Sequence, residues 1–183
     1  MKPLLSVCAF ALAFSLPADD PRLPRPDQVD KPENIKFIVP DKSKLAGTVV
    51  DNTEAKLVGE WKHSVHTPPF VGVSYIHDMK EKKGQKSATF TPDLPRTGLY
   101  EVRVSHNSNI RRANGVPVTV HHSKGKTVVK INEGEPAPIA KLFRSIGLFH
   151  FKKGREGSVT ISTEGTEGKY VIVDSVQFLI VMP

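Results

Sequence analysis

The sequence predicts an all-β sandwich or barrel, because strand-like segments recur at short intervals and helical periodicity is almost missing. Gly, Pro and Asn residues lie between these segments, as expected for turns. Only residues 138–144 have helical spacing, enough for one short turn at most. Regularly spaced short strands are typical of antiparallel sandwiches and barrels. The predicted strands cover residues 48–51, 56–64, 71–76, 88–91, 99–106, 116–122, 127–132, 146–151, 158–162 and 170–181.

The first eighteen residues have the features of a secretory signal peptide. Lys2 is their only charge, and the apolar run at residues 4–16 is too short to span a bilayer. Small residues follow at Ser15 and Ala18. Removal of residues 1–18 would take away Cys8, the single cysteine, so we expect no disulfide, thiolate metal site or cysteine nucleophile afterwards. The protein is therefore predicted to be secreted or periplasmic.

Residues 19–45 predict an extended, proline-rich linker. They contain five prolines among charged residues, and their apolar content is confined to residues 35–39. Such a segment lacks a core of its own, although one edge segment could dock on the domain. A single domain is predicted to follow at residues 46–183. No second apolar stretch follows, so no membrane span is expected.

The charge balance favours anionic partners. The formal net charge is +7, and removal of Lys2 with the signal would lower it to +6. Export makes nucleic acid an improbable partner, which leaves an acidic polysaccharide or a cell-envelope surface. The alternative is that the charge only keeps the protein soluble and has no partner.

Residues 88–122 predict two well-patterned strands that present one long polar loop. Tyr100, Val102 and Val104 alternate with polar residues, and residues 116–120 alternate again. The loop between them, residues 105–115, is long, basic and rich in amides, which makes it the first candidate for a binding surface. Its candidate ligand-binding residues are Asn109, Arg111, Arg112 and Asn114.

Arginine suits this role because its planar guanidinium can bind a carboxylate or sulfate through two parallel hydrogen bonds. The alternative is that Asn114 and Gly115 form a simple tight turn. One of the two arginines could then pair with a structural acid, such as Asp174 or Glu101.

Trp61 and Tyr75 are candidate stacking platforms for a sugar ring. A lone tryptophan on a strand is more often a core residue, and Tyr75 could be either. Two buried rings would favour a structural or protein-interaction domain of the cell envelope. An exposed ring beside Arg111 or Arg112 would favour sugar binding. Five phenylalanines are assigned to the core, namely Phe70, Phe90, Phe149, Phe151 and Phe178.

Asp174 lies in a row of core-facing residues in the last predicted strand. A buried carboxylate needs partners, which could be backbone N–H groups, an arginine or a cation. One hypothesis is a structural Ca²⁺ shared with Asp51, or with neighbouring groups such as Asn52 or Glu54. The alternative is a capped aspartate without metal, and no other cofactor is expected.

The sequence argues against both a zinc site and catalysis. His63 and His66 lie three apart, so on a strand they face opposite sides unless a turn intervenes, and His121 and His122 diverge similarly. A lyase could use Tyr75 as a base, but no acid–base pair, glycosidase-type carboxylate pair or nucleophile motif is present. We therefore expect a non-catalytic protein.

Several motifs together resemble the C-terminal domain shared by golvesin and xanthan-lyase-like proteins. They cover nearly the whole predicted domain in the right order. They are VVDNTEA (residues 49–55), GEW (59–61), FVGVSY (70–75), TFTPDLPRTGLYEVRV (89–104), SNIRRANGVPVTVHH (108–122), GLFHF (147–151), GSVTIS (157–162) and YVIVDSVQFL (170–179).

This resemblance implies a single jelly-roll-like antiparallel β-sandwich that binds carbohydrate and carries no catalytic residues. Residues 80–86 (KEKKGQK) and 124–126 (KGK) are more basic than the resemblance leads us to expect. They shift the predicted ligand from a neutral glycan toward an anionic polymer.

Overall fold

The computed structural model describes residues 40–182, which fold into twelve strands. All strand pairings are antiparallel, and an isolated bridge between Arg112 and Tyr170 is parallel. The strands are β1 (Thr48–Asp51), β2 (Lys56–Val58), β3 (Lys62–Ser64), β4 (Tyr75–His77), β5 (Ser87–Phe90), β6 (Gly98–Ser105), β7 (Asn114–His122), β8 (Gly125–Asn132), β9 (Phe143–Phe151), β10 (Ser158–Ser162), β11 (Ile172–Val173) and β12 (Ser175–Ile180). Short 3₁₀ turns occupy Lys42–Lys44 and Asn52–Glu54.

The strands form two larger sheets and one small sheet. The first sheet has the order β1-β12-β6-β9, and the second has the order β2-β5-β10-β7-β8. The small sheet, β11-β4-β3, lies beside the polar loop 105–115. The predicted all-β, jelly-roll-like antiparallel sandwich is therefore confirmed.

The core lies between the two larger sheets and is built by alternation along the strands. Val102 and Val104 of β6 share one apolar cluster with Val118 and Val120 of β7. Residues 101, 103, 117 and 119, which alternate with them, are half-buried, as expected from the two-residue period of a strand with one face inward. All five phenylalanines predicted for the core are buried: Phe90, Phe149, Phe151 and Phe178 in this cluster, and Phe70 in a smaller one.

Two predicted strands are each split into two strands that belong to different sheets. Residues 56–64 form β2 and β3, because Gly59 adopts a positive φ of 76° that turns the chain between them. Residues 170–181 form β11 and β12, and Asp174 stands at the break. The single-strand predictions for these two segments were therefore wrong, although the apolar pattern continues across each break.

Only the end of the predicted linker is described. The predicted signal peptide and residues 19–39 lie outside the described residues. The carbonyl of Pro40 accepts a hydrogen bond from Gly72 N at 3.1 Å, and Leu45 packs against a buried cluster containing Val71. Residues 40–45 thus contact the sandwich. Within residues 40–182, no helix is long and apolar enough to cross a membrane.

Candidate functional site

A cleft of about 410 Å³ lies between the small sheet and the loop 105–115. Four of the six predicted ligand-binding residues line it: Tyr75, Asn109, Arg111 and Arg112. We call it the basic cleft. Its remaining lining residues are Lys62, His63, Ser64, His66, Thr67, His77 and Tyr170.

Three chain segments that are distant in sequence meet at this cleft. Strand pairing sets Lys62 opposite His77. The third segment begins at Tyr170, whose N–H donates to the Arg111 carbonyl at 3.0 Å. The Tyr170 carbonyl in turn accepts from Ala113 N at 2.8 Å. These backbone bonds fix the loop against the small sheet, so the position of the cleft is set by the fold.

The tip of the loop is locally ordered and points its side chains outward. Asn109 accepts a hydrogen bond from Arg111 N through its side chain at 3.0 Å, and from Arg112 N through its carbonyl at 2.9 Å. Lys169 Nζ donates to the Ile110 carbonyl at 2.9 Å. The side chains of Asn109, Ile110 and Arg111 are exposed. The loop therefore presents its polar groups to solvent, as a binding surface requires.

The two arginines differ in their surroundings. Arg111 is exposed at the rim of the cleft. Arg112 is half-buried and donates to Asn107 Oδ1 at 2.9 Å and Thr67 Oγ1 at 3.4 Å. Its guanidinium carbon lies 5.9 Å from the centre of the Tyr75 ring and 5.6 Å from that of Tyr170. Arg112 is thus part of the wall, held by amide, hydroxyl and cation–π contacts.

The predicted alternative partners of these arginines are otherwise engaged. Glu101 accepts from Arg103 Nη2 at 2.6 Å. Asp174 accepts from Val71 N and from the Ser105 hydroxyl. The alternative in which an arginine pairs with Asp174 or Glu101 is therefore wrong, and in the described part of the chain neither arginine forms an ion pair.

The two predicted platform rings are both buried. Trp61 is 7% exposed, lies in the main core and donates from Nε1 to the Val58 carbonyl at 3.0 Å. Trp61 does not line the cleft, and its burial agrees with the alternative in which it is a core residue. Tyr75 is 2% exposed, and its hydroxyl accepts from Ser64 Oγ at 3.0 Å. By the exposure criterion, these two rings favour the structural alternative.

Tyr170 is a ring that the sequence analysis missed. It is half-buried, lies beside Arg112 and contacts the His77 ring edge-on at 5.2 Å between ring centres. Lys80 Nζ lies 4.9 Å from the centre of the same ring. The sequence analysis included Tyr170 in the predicted strand 170–181, whereas Tyr170 forms only an isolated bridge with Arg112 and β11 begins at Ile172. The preceding turn at Gly168, with a positive φ of 74°, is the sequence signal for an irregular segment at this point.

The formally charged side chains that line the basic cleft are all positive. Its lining residues, all in the described part of the chain, include three cationic side chains and no carboxylate. His77 adds no charge near neutral pH, since burial and the nearby Arg112 lower the pKa of His77 to about 4. The Nδ1 atom of His77 accepts from Met79 N at 3.2 Å, which also requires an unprotonated nitrogen. The positive potential therefore comes from Lys62, Arg111 and Arg112.

Asn114, the remaining predicted binding residue, belongs to a different cleft. This second cleft, of about 470 Å³, lies on the other side of residues 109–112. Asn114 is exposed there, and Arg112 lines both clefts. Asn114, the first residue of β7, therefore does not line the basic cleft with the other loop residues, and its role in ligand binding stays a prediction.

The predicted calcium ligands are both buried and capped. Asp51 accepts from Thr53 N at 3.1 Å, and burial raises the pKa of Asp51. Asp174 accepts from Val71 N at 3.0 and 3.2 Å and from the Ser105 hydroxyl, and burial raises the pKa of Asp174 well above its ordinary value. Both oxygens of Asp174 thus have donors, whereas Asp51 Oδ2 is buried without a hydrogen-bond partner among the described residues. Calcium binding stays a prediction.

Three histidines line the basic cleft, and His63 and His66 reach it together through the exception that the sequence analysis allowed, an intervening turn. Because β3 ends at Ser64, a turn intervenes and brings His66 to the same cleft as His63 and His77. His63 Nδ1 lies 2.9 Å from Ser74 Oγ. Among residues 40–182, no group of three or more His, Cys, Asp or Glu side chains is arranged to hold a metal ion.

The fold is a small β-sandwich that is also seen in a solved carbohydrate-binding module. A carbohydrate-binding module of family 35 from Paenibacillus barcinonensis superimposes with a TM-score of 0.51. The two share 15% identity over 74% of this chain and all of the module, so the likeness concerns the fold alone.

The chain belongs to the Golvesin C-terminal domain family, which matches residues 48–180. Its sequence is 35% identical over 147 residues to a xanthan lyase from Bacillus sp. (strain GL1), covering 78% of this chain and 16% of the lyase. The structure of a Paenibacillus xanthan lyase superimposes with a TM-score of 0.69 at 33% identity, over 74% of this chain and 13% of that one. The chain thus spans about a sixth of the lyases it resembles, and the predicted family resemblance is confirmed.

Proposed function

We propose that this domain is a secreted, non-catalytic module that binds an anionic polysaccharide in the basic cleft. One observation carries the proposal: the cleft gathers Lys62, Arg111 and Arg112 without a carboxylate among its lining residues. A volume of about 410 Å³ lies within the range of about 300–1,000 Å³ that is usual for small-ligand sites. A polymer unit with a carboxylate fits both the size and the charge.

The side chains suggest how such a unit binds. Arg111 is exposed, so its guanidinium can turn to form two hydrogen bonds with a uronate or ketal carboxylate. Tyr170 offers a half-buried phenol ring in the lining of the cleft, suited to contact a sugar face. Asn109 can bond the sugar hydroxyls. Arg112 holds the wall in place and adds long-range attraction.

The relatives support a polysaccharide ligand. The proteins that match this chain at 33–35% identity are named as xanthan lyases, and the matched region is a small part of each. These relatives support an accessory, non-catalytic role in polysaccharide recognition for this domain.

The burial of Trp61 and Tyr75 favours a second candidate, a protein-interaction domain of the cell envelope. In that case the exposed Arg111 and Ile110 would contact an acidic protein surface, and no polysaccharide would bind. The two candidates differ in whether an isolated polymer is recognised.

Affinity electrophoresis separates these candidates. The protein is run through gels that contain xanthan, polygalacturonate or neutral dextran. We expect retardation by at least one anionic polymer and none by dextran. Arg111→Ala should weaken binding by about ten- to a hundredfold, because a charge-assisted hydrogen bond contributes roughly 1.5–3 kcal/mol.

The matched control is Lys126→Ala, which removes the same charge from an exposed position on β8 and should leave retardation unchanged. Equal losses in both variants would mean that only net charge is recognised. Absence of retardation in every gel would favour the protein-interaction domain.

A further inference from the structure

The second cleft, on the far side of residues 109–112, has a different chemistry from the basic cleft. Two exposed acids, Glu135 and Glu167, and two cations, Arg112 and Lys169, balance its charge. Asn114 and Asn132 contribute amides, which can both donate and accept hydrogen bonds. We call it the amide cleft. Its formal charge is zero, so it does not favour an anion.

Residues 109–112 form a fixed ridge between the two clefts. The ridge is held from both sides, by the Asn109 turn and by the hydrogen bond from Lys169 Nζ to the Ile110 carbonyl at 2.9 Å. Arg112, the last residue of the ridge, lines both clefts. Ile110 is 85% exposed on the ridge, on the side of the amide cleft. An extended ligand in the basic cleft can therefore continue across Ile110 without entering the core.

A turn after β8 fixes the orientation of the Asn132 side chain in the amide cleft. Asn132 Oδ1 accepts a hydrogen bond from Gly134 N at 2.9 Å, which fixes the amide group at the end of β8. Asn132 pairs with Asn114 across β7 and β8, where a register shift follows Asn114. The two amides thus lie on neighbouring strands at one end of the sheet. Paired amides with carboxylates nearby are groups that hydrogen-bond sugar hydroxyls in both directions.

We propose that the amide cleft is a second subsite, which binds a neutral sugar unit next to the anionic unit held in the basic cleft. This inference rests on the proposed function of the basic cleft. It narrows the ligand to polysaccharides in which charged and neutral units adjoin, and it disfavours polymers charged at every unit. The domain would then bind a chain segment of at least two units across the ridge.

The test uses the full chain and two kinds of variant. Affinity electrophoresis compares xanthan, whose side chains combine uronate and neutral sugars, with polygalacturonate, which is charged at every unit. Asn114→Ala combined with Asn132→Ala should weaken retardation by the mixed polymer about tenfold and leave any polygalacturonate binding unchanged. Arg111→Ala should weaken binding to both polymers.

The matched control is Thr127→Ala, an exposed polar position near the other end of β8. It should behave as the unmodified protein does, and far-ultraviolet circular dichroism should show that every variant is folded. Because Asn114 and Asn132 lie at strand ends, single Asn→Ser variants provide a milder second series with the same expected direction.

Each outcome distinguishes the two proposals. Loss of binding in Arg111→Ala with an unaffected asparagine variant would overturn the second subsite and leave the proposed function standing. Stronger binding to polygalacturonate than to xanthan would also overturn it. No retardation by either polymer would overturn the proposed function and this inference together. A loss in the asparagine variant alone would overturn the basic cleft as the anionic site.

Discussion

Residues 80–86 and residues 107–112 are both rich in positive charge, and the protein uses the two segments for opposite purposes. In residues 80–86, Lys83 and Lys86 turn inward. Lys83 forms a buried ion pair with Asp78 and donates to the Lys169 carbonyl at 2.6 Å. Lys86 is 2% exposed and donates to the Asp78 carbonyl at 2.7 Å. These cations stabilise the fold and are not available to a ligand.

In residues 107–112 the arrangement is reversed. Arg111 has no acid beside it within the described chain, and its side chain faces solvent. Arg112 is held by neutral groups, so its charge is not cancelled. A positive charge therefore attracts a ligand only where the fold leaves it without an anionic partner. The number of lysines in a segment does not give this information.

The largest expected effect on stability comes from removing the partner of the inward-turned Lys83 in residues 80–86. Asp78→Ala removes a fully buried carboxylate that accepts from Val171 N at 3.0 Å and pairs with Lys83. Because the Lys83 ammonium would remain buried without its partner, the free energy of unfolding should fall by about 3–5 kcal/mol. Urea unfolding followed by tryptophan fluorescence measures this change.

The matched control is Glu81→Ala, which removes an exposed acid from the same segment. It should change the free energy of unfolding by less than about 0.5 kcal/mol. If Asp78→Ala were as mild as Glu81→Ala, residues 80–86 would be a solvated loop and the comparison between the two segments would fail.

The sequence predicted the fold well because alternation survives in each strand of the sandwich. Tyr100, Val102 and Val104 are buried as their spacing indicated. The breaks at Gly59 and Asp174 were missed, since an apolar pattern continues whether the next residues join the same sheet or another. That choice depends on which strands pair, which is not a local property.

The candidate site was predicted in part, and the errors have a common cause. Arg111, Arg112, Asn109 and Tyr75 do meet, because one loop and its neighbouring sheet carry them. Asn114 lies across the ridge, and a sequence pattern does not show on which side of a loop each residue falls. The inward turn of Lys83 was missed for the same reason, since its partner Asp78 is recognisable only in three dimensions. The positions of Asn114 and Lys83 can be assigned only when the tertiary contacts are known.

Substitution of Arg112 should lower the free energy of unfolding by a smaller amount, and substitution of Arg111 should leave it nearly unchanged. Arg112→Ala removes the hydrogen bond to Asn107, a residue that is 1% exposed, and both tyrosine contacts. Because a buried amide oxygen would be left without a partner, the free energy of unfolding should fall by about 1–3 kcal/mol. Arg111→Ala should change it by less than about 0.5 kcal/mol.

Thermal and urea unfolding of both variants measure the difference, and Lys126→Ala again provides the charge-matched control. Equal destabilisation by the two arginine variants would contradict the assignment of Arg112 to the wall and Arg111 to the ligand. Equal stability with equal loss of polymer binding would show that both arginines only contact the ligand.

The smallest expected effect is on the pH dependence of stability, and it tests whether His77 contributes charge to the basic cleft. Burial and Arg112 lower the pKa of His77 to about 4, below the ordinary value of 6.5. As the pH falls from 6.5 toward 4, the unfolded chain binds this proton first, so the contribution of His77 to stability is present above pH 6.5 and is lost on acidification. His77→Asn, which retains an acceptor for Met79 N, should make the melting temperature fall less steeply over this interval.

His106, whose pKa is also lowered to about 4 by burial, remains in that variant, so part of the acid sensitivity should persist. As a control, His121→Asn makes the same substitution at an exposed position outside the cleft. A profile identical to that of the unmodified protein in His77→Asn would mean that folding does not lower the pKa of His77, so that His77 gains its proton in the folded cleft at the same pH as in the unfolded chain. The positive potential that we attribute to Lys62, Arg111 and Arg112 would then include His77, and ligand binding would weaken as His77 loses its proton.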